Sequence, residues 1–358
     1  MKAIIPIGGR GTRMRPVTFT ANKHFIPVGN KPLIFYPIET IKKAGIVDIA
    51  ITYNPGQLVF AKKILGNGRA WGVKFTYIEQ PEPIGLANVV AVCEEWVGDE
   101  PFVYHLGDNI FVDGIIESKE YFEREKPDGL VVMVHHSENT RLGVPYFDKN
   151  NRLIKYIEKP KNPPHDFAIP GLYFGNKNFF KAFHGKDKIK PSDRGEYEIP
   201  TAYQWLIDHK YRVDVIEYIG KWLDPGKFGD WLESNQHLLD ALTTRTIESE
   251  YDKQTVIEGR VEIGRDCTIK NSRIRGPVSI GNNVTLENSF IGPYTSIYHD
   301  CHIRSCHIEN SVLMESVTCE NLVKPIDSSI IGPNSEVTAK NNQTYHQLFI
   351  GEMGKISL

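Results

Sequence analysis

The sequence predicts an α/β part followed by a left-handed parallel β-helix, and two patterns carry this prediction. As far as about residue 242, short runs rich in β-branched residues alternate with amphipathic helical runs, which is typical of a mostly parallel sheet covered by helices. After about residue 250, an Ile, Leu or Val recurs at a nearly fixed step of six residues. A chain of 358 residues with 41% hydrophobic content is long enough to form a core in each part.

The first part alternates strands and helices from its first residues. Ala3–Ile7 is expected to form a strand, and a helix is expected from near Pro32, which suits a first turn, to Gly45, which suits a C-terminal cap. Val144–Phe147 and Arg152–Ile157 are expected to form a hairpin appended to the sheet. The other expected strands are Asp48–Tyr53, Lys74–Ile78, Phe102–Leu106 and Leu130–His135, and the other expected helices are Leu86–Trp96, Ile115–Arg124 and Phe228–Leu242. These elements predict a Rossmann-like domain with a mixed, mostly parallel sheet.

The second part has a repeat whose period indicates its architecture. A six-residue step is too short for helical repeats and fits hexapeptide coils with three flat faces, in which each aliphatic residue points inward. Ordinary antiparallel strands would alternate at two residues instead. The recurring residues are Ile257, Ile263, Ile269, Ile274, Ile280, Leu286, Ile291, Ile297, Ile303, Ile308 and Leu313. We therefore predict a first domain at 1–242, a linker at 243–252, the β-helix at 253–345 and a C-terminal tail at 346–358.

Charge and composition limit the classes of protein to consider. The 42 basic and 44 acidic side chains leave a net charge of −2, so no overall field favours nucleic acid or an anionic membrane as a partner. No stretch approaches the roughly 18 apolar residues of a membrane helix, and the N-terminal apolar run is too short for a signal peptide. We therefore expect a cytoplasmic protein. The five cysteines form neither an even framework nor a C-x-x-C pair, so reduced thiols are expected rather than disulfides or zinc.

The strongest chemical signal is a glycine-rich loop directly after the first strand. It runs Gly8-Gly9-Arg10-Gly11-Thr12-Arg13, and Lys23 follows. Glycines let the backbone pass close to a phosphate chain and present its N–H groups, while Arg13 and Lys23 supply positive charge. The loop lacks the Gly-Lys-Ser/Thr ending of a Walker A loop, and Arg15-Pro16 does not suit the helix start of a G-x-G-x-x-G turn. We predict an anion-binding loop; the alternative is an ordinary surface turn.

Taken in order, this loop, Lys23 and Pro27-Val28-x-x-Lys31-Pro32 resemble the signature of the sugar nucleotidyltransferase family. The resemblance covers essentially residues 1–242. It continues through Gln80-Pro81-Glu82-Pro83-Ile84-Gly85-Leu86-Ala87, Leu106-Gly107-Asp108-Asn109, Glu158-Lys159-Pro160, Gly171-Leu172-Tyr173 and Trp222-Leu223-Asp224-Pro225-Gly226. The β-helix and the total length resemble the long glucose-1-phosphate thymidylyltransferases within that family.

The resemblance implies a reaction in which a sugar 1-phosphate attacks the α-phosphorus of a nucleoside triphosphate. For the long thymidylyltransferases it implies dTTP and glucose 1-phosphate as substrates, dTDP-glucose and pyrophosphate as products, and Mg²⁺ as the cofactor. Because both reactants are anionic, catalysis consists mainly of neutralising charge and fixing geometry. Asp108 and Asp224 are the implied metal ligands, since hard divalent ions prefer carboxylates, phosphate oxygens and water.

The resemblance also implies the roles of the remaining candidate residues. The implied nucleotide-binding residues are Gly8, Gly9, Gly11, Thr12, Gln80 and Gly85; the implied sugar-phosphate-binding residues are Gly143, Glu158, Lys159, Gly171, Tyr173 and Arg194; the implied catalytic cations are Arg13, Lys23 and Lys159. Taken alone, some have simpler interpretations. Asp108 would suit an Asx-turn, Glu158-Lys159 a solvated charge pair, and Arg194 the charged first turn of a helix.

Three alternative functions remain open at this point. UTP or another hexose 1-phosphate would need only small changes in the pocket, and Pro6-Ile7 is closer to uridylyltransferases. A non-catalytic regulatory homologue would have no need of Arg13, Lys23 and both aspartates. An acetyltransferase activity in the β-helix would need a catalytic histidine, for which His299, His302 and His307 are candidates. The β-helix is expected to serve mainly in the assembly of a homo-oligomer.

Overall fold

The computed structural model describes residues 1–9, 11–19, 22–149 and 152–339. They belong to two compact units, the first made of Met1–Gly9 and Ile34–Leu223, and the second drawn from Arg10–Leu33 and Asp224–Leu358. The segment Arg10–Leu33 thus belongs to the same unit as the C-terminal part, while Gly8 and Gly9 belong to the first unit. Residues 340–345 of the predicted β-helix and the predicted tail 346–358 lie outside the described residues, and the domain boundaries at 242 and 252 stay predictions.

The elements preceding the coiled region are mostly short. Strands β1–β14 are, in order, Lys2–Pro6, Pro27–Val28, Lys31–Pro32, Asp48–Tyr53, Lys74–Glu79, Phe102–His105, Ile110–Phe111, Gly129–His135, Gly143–Phe147, Leu153–Glu158, Phe167–Ala168, Leu172–Gly175, Val213–Glu217 and Trp222–Leu223. Helices α1–α7 are Phe35–Lys43, Leu58–Leu65, Leu86–Ala91, Glu94–Val97, Ile116–Glu125, Ile199–Asp208 and Phe228–Asp240. None of the described helices is both long and apolar enough to span a membrane.

The first unit is built around an eight-stranded sheet of order β11-β8-β12-β6-β1-β4-β5, and β13 pairs with β8. β1 is parallel to β4 and β6, β4 is parallel to β5, and β13 is parallel to β8. β12 runs antiparallel to both of its neighbours. Ile4, Phe102 and Tyr104 of the central strands are fully buried, because helices and aromatic side chains cover the sheet. The predicted Rossmann-like mixed sheet is confirmed.

Several elements differ from the sequence expectation for local reasons. The predicted helix Leu86–Trp96 is two helices, since the Cys93 N–H bonds to the carbonyl three residues earlier and tightens the chain between them. Pro32 belongs to β3, because Gly29 and Asn30 have φ of 56° and 62° and form the two-residue turn of the β2–β3 hairpin. β9 and β10 form a separate two-stranded sheet rather than extending the main one. α2 and α6 were not expected from the sequence.

Between residues 246 and 338 the second unit is a three-sided coil of short parallel strands. Strands β15–β30 are, in order, Thr246–Ile247, Val256–Glu258, Val261–Ile263, Thr268–Lys270, Arg273–Arg275, Val278–Ile280, Thr285–Glu287, Phe290–Ile291, Thr295–Ile297, His302–Arg304, His307–Glu309, Val312–Leu313, Thr318–Glu320, Ile326–Asp327, Ile330–Ile331 and Glu336–Thr338. They form three parallel sheets, one per face, with orders β15-β17-β20-β23-β26-β29, β16-β19-β22-β25-β28 and β18-β21-β24-β27-β30.

The aliphatic residues of the six-residue step form the core of this coil. Ile263 pairs with Ile280 and Ile280 with Ile297, so one coil takes 17 residues, and the three side chains are at most 2% exposed. These features confirm the predicted left-handed parallel β-helix. Its first strand, β15, lies within 243–252, the stretch predicted as a linker, because Thr246–Ile247 already pairs with β17.

Candidate active site

Part of the predicted sugar-phosphate group lies together where the β9–β10 hairpin opens. Gly143 is paired with Glu158 across the two strands, and the Lys159 N–H donates to the Leu142 carbonyl (2.9 Å) just beyond that pair. Lys159 Nζ lies 3.1 Å from Glu158 Oε1. The hairpin therefore brings a carboxylate, an ammonium group and a glycine backbone to one place.

The environment of the Glu158 carboxylate contains charges of both signs. Burial raises the pKa of Glu158 above its usual range, while the positive charges of Lys159 and Arg194 act in the opposite direction. The Arg194 guanidinium donates to Glu198 Oε1 (2.6 Å), and the Ser192 hydroxyl donates to the same oxygen (3.0 Å). Carboxylates that accept from sugar hydroxyls and cations that meet a phosphate are thus both available here.

Tyr173 is buried, at 4% exposure, in strand β12. Its hydroxyl lies 3.2 Å from that of Tyr156, and the rings of Tyr104 and Tyr203 stack on it with centroids 5.9 and 5.8 Å away. Because Tyr156 precedes Glu158 by two residues on the same strand, this tyrosine cluster supports the strand that carries the carboxylate. A direct contact between Tyr173 and sugar stays a prediction.

Asn109, which the sequence analysis did not include among the site residues, organises the surroundings of Asp108. Its Nδ2 donates to Asp108 Oδ1 (2.9 Å), and its Oδ1 accepts from the Trp222 indole N–H (2.7 Å) and the Gly171 N–H (3.3 Å). The side chain is only 4% exposed. Asn109 therefore fixes the Asp108 carboxylate relative to two other motifs of the resemblance. Its sequence signal is its place directly after Asp108.

Gln80 holds its side-chain amide in one orientation. The amide is buried, and its Nε2 donates to the Gly85 carbonyl (3.2 Å) and to Asn88 Oδ1 (3.0 Å). Both amide hydrogens are thereby used, so the carbonyl oxygen Oε1 is the atom that a base can meet. An accepting oxygen matches the N3–H of thymine or uracil but not N3 of cytosine, which is itself an acceptor.

Gly85 lies against the backbone that leads to Arg194 and Glu198. Its φ of 112° favours glycine, and a Cβ placed there would come within 2.6 Å of the Tyr197 nitrogen. The Tyr197 N–H donates to the carbonyl of residue 84 (2.7 Å), and its carbonyl accepts from the N–H of residue 87 (2.9 Å). The predicted base-binding segment is therefore joined to the segment that precedes α6.

The glycine-rich loop is divided between the units, with Gly8 and Gly9 in the first and residues 11–13 in the second. Thr12 and Arg13 are exposed in a short 3₁₀ turn, and the Gly11 carbonyl accepts from the Thr18 hydroxyl (2.7 Å). Within the second unit, Lys23 Nζ lies 3.9 Å from Asp224 Oδ1, and the Lys23 side chain is 9% exposed. The structure thus places one predicted cation beside one predicted metal ligand.

The donor chemistry of the two aspartates fits Mg²⁺. Among residues 1–9, 11–19, 22–149 and 152–339, no group of three or more His, Cys, Asp or Glu side chains is placed to hold a metal ion. Mg²⁺ is usually held by one or two carboxylates together with phosphate oxygens and water, so a larger protein cage is not required. Asp108 is partly exposed and is oriented by Asn109, which suits a ligand fixed before the ion binds.

Two of the three candidate histidines of the β-helix have contacts within the coils. His299 Nδ1 accepts from the Asn282 N–H (2.9 Å), and the ring of His307 meets the ring of Phe290 edge-on, with centroids 4.6 Å apart. His302 is exposed on β24. His299 and His307 therefore have structural explanations that do not need acetyl transfer.

A glycine-rich loop directly after the first strand of a Rossmann-like sheet is typical of enzymes that bind nucleotide phosphates. The chain belongs to the nucleotidyl transferase family, whose profile matches residues 2–241. It is a nucleotidyltransferase, as the sequence resemblance predicted.

Relatives extend this similarity beyond the family domain. The chain is 36% identical over 363 aligned residues to a glucose-1-phosphate thymidylyltransferase of Streptomyces antibioticus, which covers 100% of this chain and 99% of the relative. It is 34% identical over 362 residues to the low-salt glycan biosynthesis nucleotidyltransferase of Haloferax volcanii, covering 100% of both chains. A solved Bacillus anthracis protein, assigned as a glucose-1-phosphate thymidylyltransferase and crystallised with sucrose, matches with a TM-score of 0.63 and 33% identity over 68% of this chain and 98% of that one.

Proposed function

We propose that this enzyme transfers a thymidylyl group from dTTP to glucose 1-phosphate, giving dTDP-glucose and pyrophosphate. The single observation that carries the class of base is the fixed amide of Gln80, which offers an acceptor to a pyrimidine N3–H. The glucose and thymidylyl parts of the proposal are supported by the Streptomyces antibioticus relative, which is similar over the whole chain.

The proposed reaction needs no protein nucleophile. An oxygen of the sugar phosphate forms a bond to the α-phosphorus, and the bond from that phosphorus to the oxygen bridging towards the β-phosphorus breaks. Pyrophosphate leaves with the electron pair. Arg13 and Lys23 would neutralise the triphosphate, and Lys159 would hold the phosphate of the sugar, so that two anions can approach each other in line.

Sugar recognition would fall to the group around Glu158. Its carboxylate would accept from sugar hydroxyls, and the Gly143 backbone lies opposite it on the paired strand. A side chain at Gly143 would collide with the ring of Tyr156, so the position needs glycine. Arg194 and Lys159 would share the sugar phosphate, with Arg194 leaving Glu198 in part to do so. Gly171 and Tyr173 would support this group from the neighbouring strand.

Asp108 and Asp224 would hold Mg²⁺, which when bound neutralises charge on phosphate oxygens. In this chain Asn109 would keep the Asp108 carboxylate oriented, and Lys23 would stand beside Asp224. We further propose a cytoplasmic homo-oligomer without nucleic-acid or membrane partners, which rests on composition and on the β-helix.

UTP is the second candidate nucleotide, because Gln80 Oε1 would accept a hydrogen bond from uracil and thymine alike. The two bases share the N3–H and differ in one methyl group, a difference that changes selectivity by about 10-fold to 200-fold in a fitted pocket. Pro6-Ile7 before the glycine-rich loop also favours this alternative.

A substrate matrix tests the proposal. The purified full-length chain with Mg²⁺ is incubated with dTTP, UTP, CTP, ATP or GTP against glucose 1-phosphate, galactose 1-phosphate, mannose 1-phosphate and N-acetylglucosamine 1-phosphate, and pyrophosphate release is measured. We expect the highest kcat/KM for dTTP with glucose 1-phosphate. A preference for CTP or a purine nucleotide would contradict the role given to Gln80, and Asp108→Asn serves as the inactive control.

A further inference from the structure

The β-helix holds the segment that carries Lys23. We infer that Asn235 is a positioning residue for catalysis, because it joins the β2–β3 hairpin to the β-helix and thereby fixes Lys23. This inference rests on the proposed function for the role of Lys23, and it gives the β-helix a part in the reaction itself, besides any part in assembly.

Asn235 lies on α7 and is fully buried. Its Oδ1 accepts from the Gly29 N–H at the tip of the hairpin (3.0 Å) and from the Ser296 hydroxyl on β23 (2.7 Å). Its Nδ2 donates to the Tyr294 carbonyl (3.0 Å), which belongs to the same coil. One amide thus joins the hairpin, the helix after Asp224 and the β-helix, and every one of its polar atoms is used.

A second amide fixes the same hairpin tip. Asn30, the other residue of the turn, accepts from the Ser279 hydroxyl (3.1 Å) and donates to the Ile297 carbonyl (3.1 Å) in the orientation that satisfies both of its amide atoms. Ser279 lies on β20, one coil before Ser296. Two successive coils therefore contact the tip.

The burial of that face of the β-helix agrees with these contacts. All three residues of β20 and of β23 are buried, including the outward-facing Ser279 and Ser296 at 4% exposure or less. On the other two faces the outward residues are mostly exposed or half-buried, as in β18, β19 and β24. A serine on an outer face is buried only where something covers it, and here the cover includes the hairpin at Asn30 and α7 at Asn235.

Hydrogen bonds continue from the hairpin to Lys23. The Leu33 N–H donates to the Ile26 carbonyl (3.0 Å), which extends the hairpin by one pair, and the Ile26 N–H donates to the Lys23 carbonyl (3.2 Å). Asp224 lies four residues before α7, the helix that carries Asn235. Both members of the Lys23–Asp224 pair, 3.9 Å apart, are therefore positioned relative to the same buried amide.

The test compares three variants of the full-length chain. Asn235→Ala removes the link at the helix, and Asn30→Gly removes the second link while glycine keeps the positive φ of the turn. Ser234→Ala is the matched control, since Ser234 is a buried neighbour on α7 whose hydroxyl donates within its own helix, to the Asp230 carbonyl (2.6 Å). Steady-state pyrophosphate release gives kcat and both KM values, and hydrogen exchange follows the amides of residues 22–33.

We expect Asn235→Ala to lower kcat by about tenfold, because a displaced cation loses its alignment with the phosphates, with the KM of glucose 1-phosphate changed by less than about twofold. Asn30→Gly should shift kcat in the same direction by less, and Ser234→Ala should behave as wild type. Hydrogen exchange of the amides of residues 22–33 should accelerate in Asn235→Ala and Asn30→Gly but not in Ser234→Ala.

The outcomes separate this inference from the proposed function. A folded Asn235→Ala variant with the kcat and exchange of Ser234→Ala overturns the inference. If Asn235→Ala does not fold, wild-type kcat and exchange in Asn30→Gly overturn it instead. A wild-type chain that releases no pyrophosphate in the substrate matrix refutes the proposed function, while the exchange measurement still decides whether the β-helix holds the hairpin.

Discussion

Replacing Gly85 by alanine should detach the base-binding segment from the backbone of Tyr197. At φ 112° and ψ 165°, a non-glycine residue costs on the order of 1–3 kcal/mol. The added Cβ would lie 2.6 Å from the Tyr197 nitrogen, so the segment must move, and the two hydrogen bonds of 2.7 and 2.9 Å made by Tyr197 lengthen or break. Each such bond contributes about 0.5–1.5 kcal/mol, which gives an expected loss of about 2–6 kcal/mol in the free energy of unfolding.

Gly195→Ala separates the two causes of this loss. Gly195 also has a positive φ, of 77°, but nothing lies within 4 Å of a Cβ built there. We expect only the backbone cost, roughly 1–2 kcal/mol, in that variant. Urea unfolding followed by circular dichroism measures both variants, and the KM of the nucleoside triphosphate should rise in Gly85→Ala alone. Equal losses of stability in the two variants would refute the reasoning, because the contact with Tyr197 would then contribute nothing.

Three further predictions concern the site. Asp108→Asn and Asp224→Asn should each lower Mg²⁺-dependent pyrophosphate release at least about 100-fold, because each removes a proposed metal ligand. The circular dichroism spectrum should stay unchanged. Substantial turnover in either variant would count against the metal site. CTP should have a kcat/KM at least about tenfold below that of UTP. Gln80 Oε1 and the cytosine N3 are both acceptors, so a buried polar group would be left unpaired at a cost of about 1–3 kcal/mol. Equal kcat/KM for the two nucleotides would exclude the orientation given to the Gln80 amide. Burial raises the pKa of Glu158, so this carboxylate loses its charge at a higher pH than an ordinary glutamate does. The KM of glucose 1-phosphate should therefore rise as the pH falls through the raised pKa. The raised pKa also means that stability falls as the pH rises from the ordinary pKa of glutamate to the raised one, and the loss is complete above the raised value. Glu158→Gln should therefore raise the unfolding midpoint at pH 7 and remove the pH dependence of KM; an unchanged midpoint would contradict the burial effect.

The β-helix was predictable because its signal is repeated in every coil. Each inward Ile or Leu is one of many equivalent positions, so an irregular coil does not hide the period. The sheet was predictable from the apolar runs of its parallel strands. The antiparallel direction of β12 was not, because the direction of a buried strand cannot be inferred from its apolar residues. The β2–β3 hairpin was not predicted, because Pro32 suits the first turn of a helix. In the structure, Gly29 and Asn30 have positive φ and form the turn of a hairpin that includes Pro32.

The candidate site was predictable as a set of motifs and not as a set of contacts. Gln80 and Glu158 were recognised from their neighbours in sequence, but the orientation of the Gln80 amide depends on Asn88, eight residues later. Asn109 and Asn235 act through buried hydrogen bonds to residues distant in the chain, with Trp222 lying 113 residues from Asn109. A single sequence contains no record of such pairings, which is why these two residues emerge from the structure alone.

The burial of one β-helix face restricts how copies of this chain can assemble. The face formed by β15, β17, β20, β23, β26 and β29 is covered in its middle strands by parts of the same chain. A symmetric contact made through the β-helix must therefore avoid the middle of this face and use the other two faces, the partly exposed outer strands β15 and β29, or an end of the coil. Any interface on those faces would be lined by outward charged side chains such as Arg273 and Arg304, so its stability should depend on salt more than that of an apolar interface would.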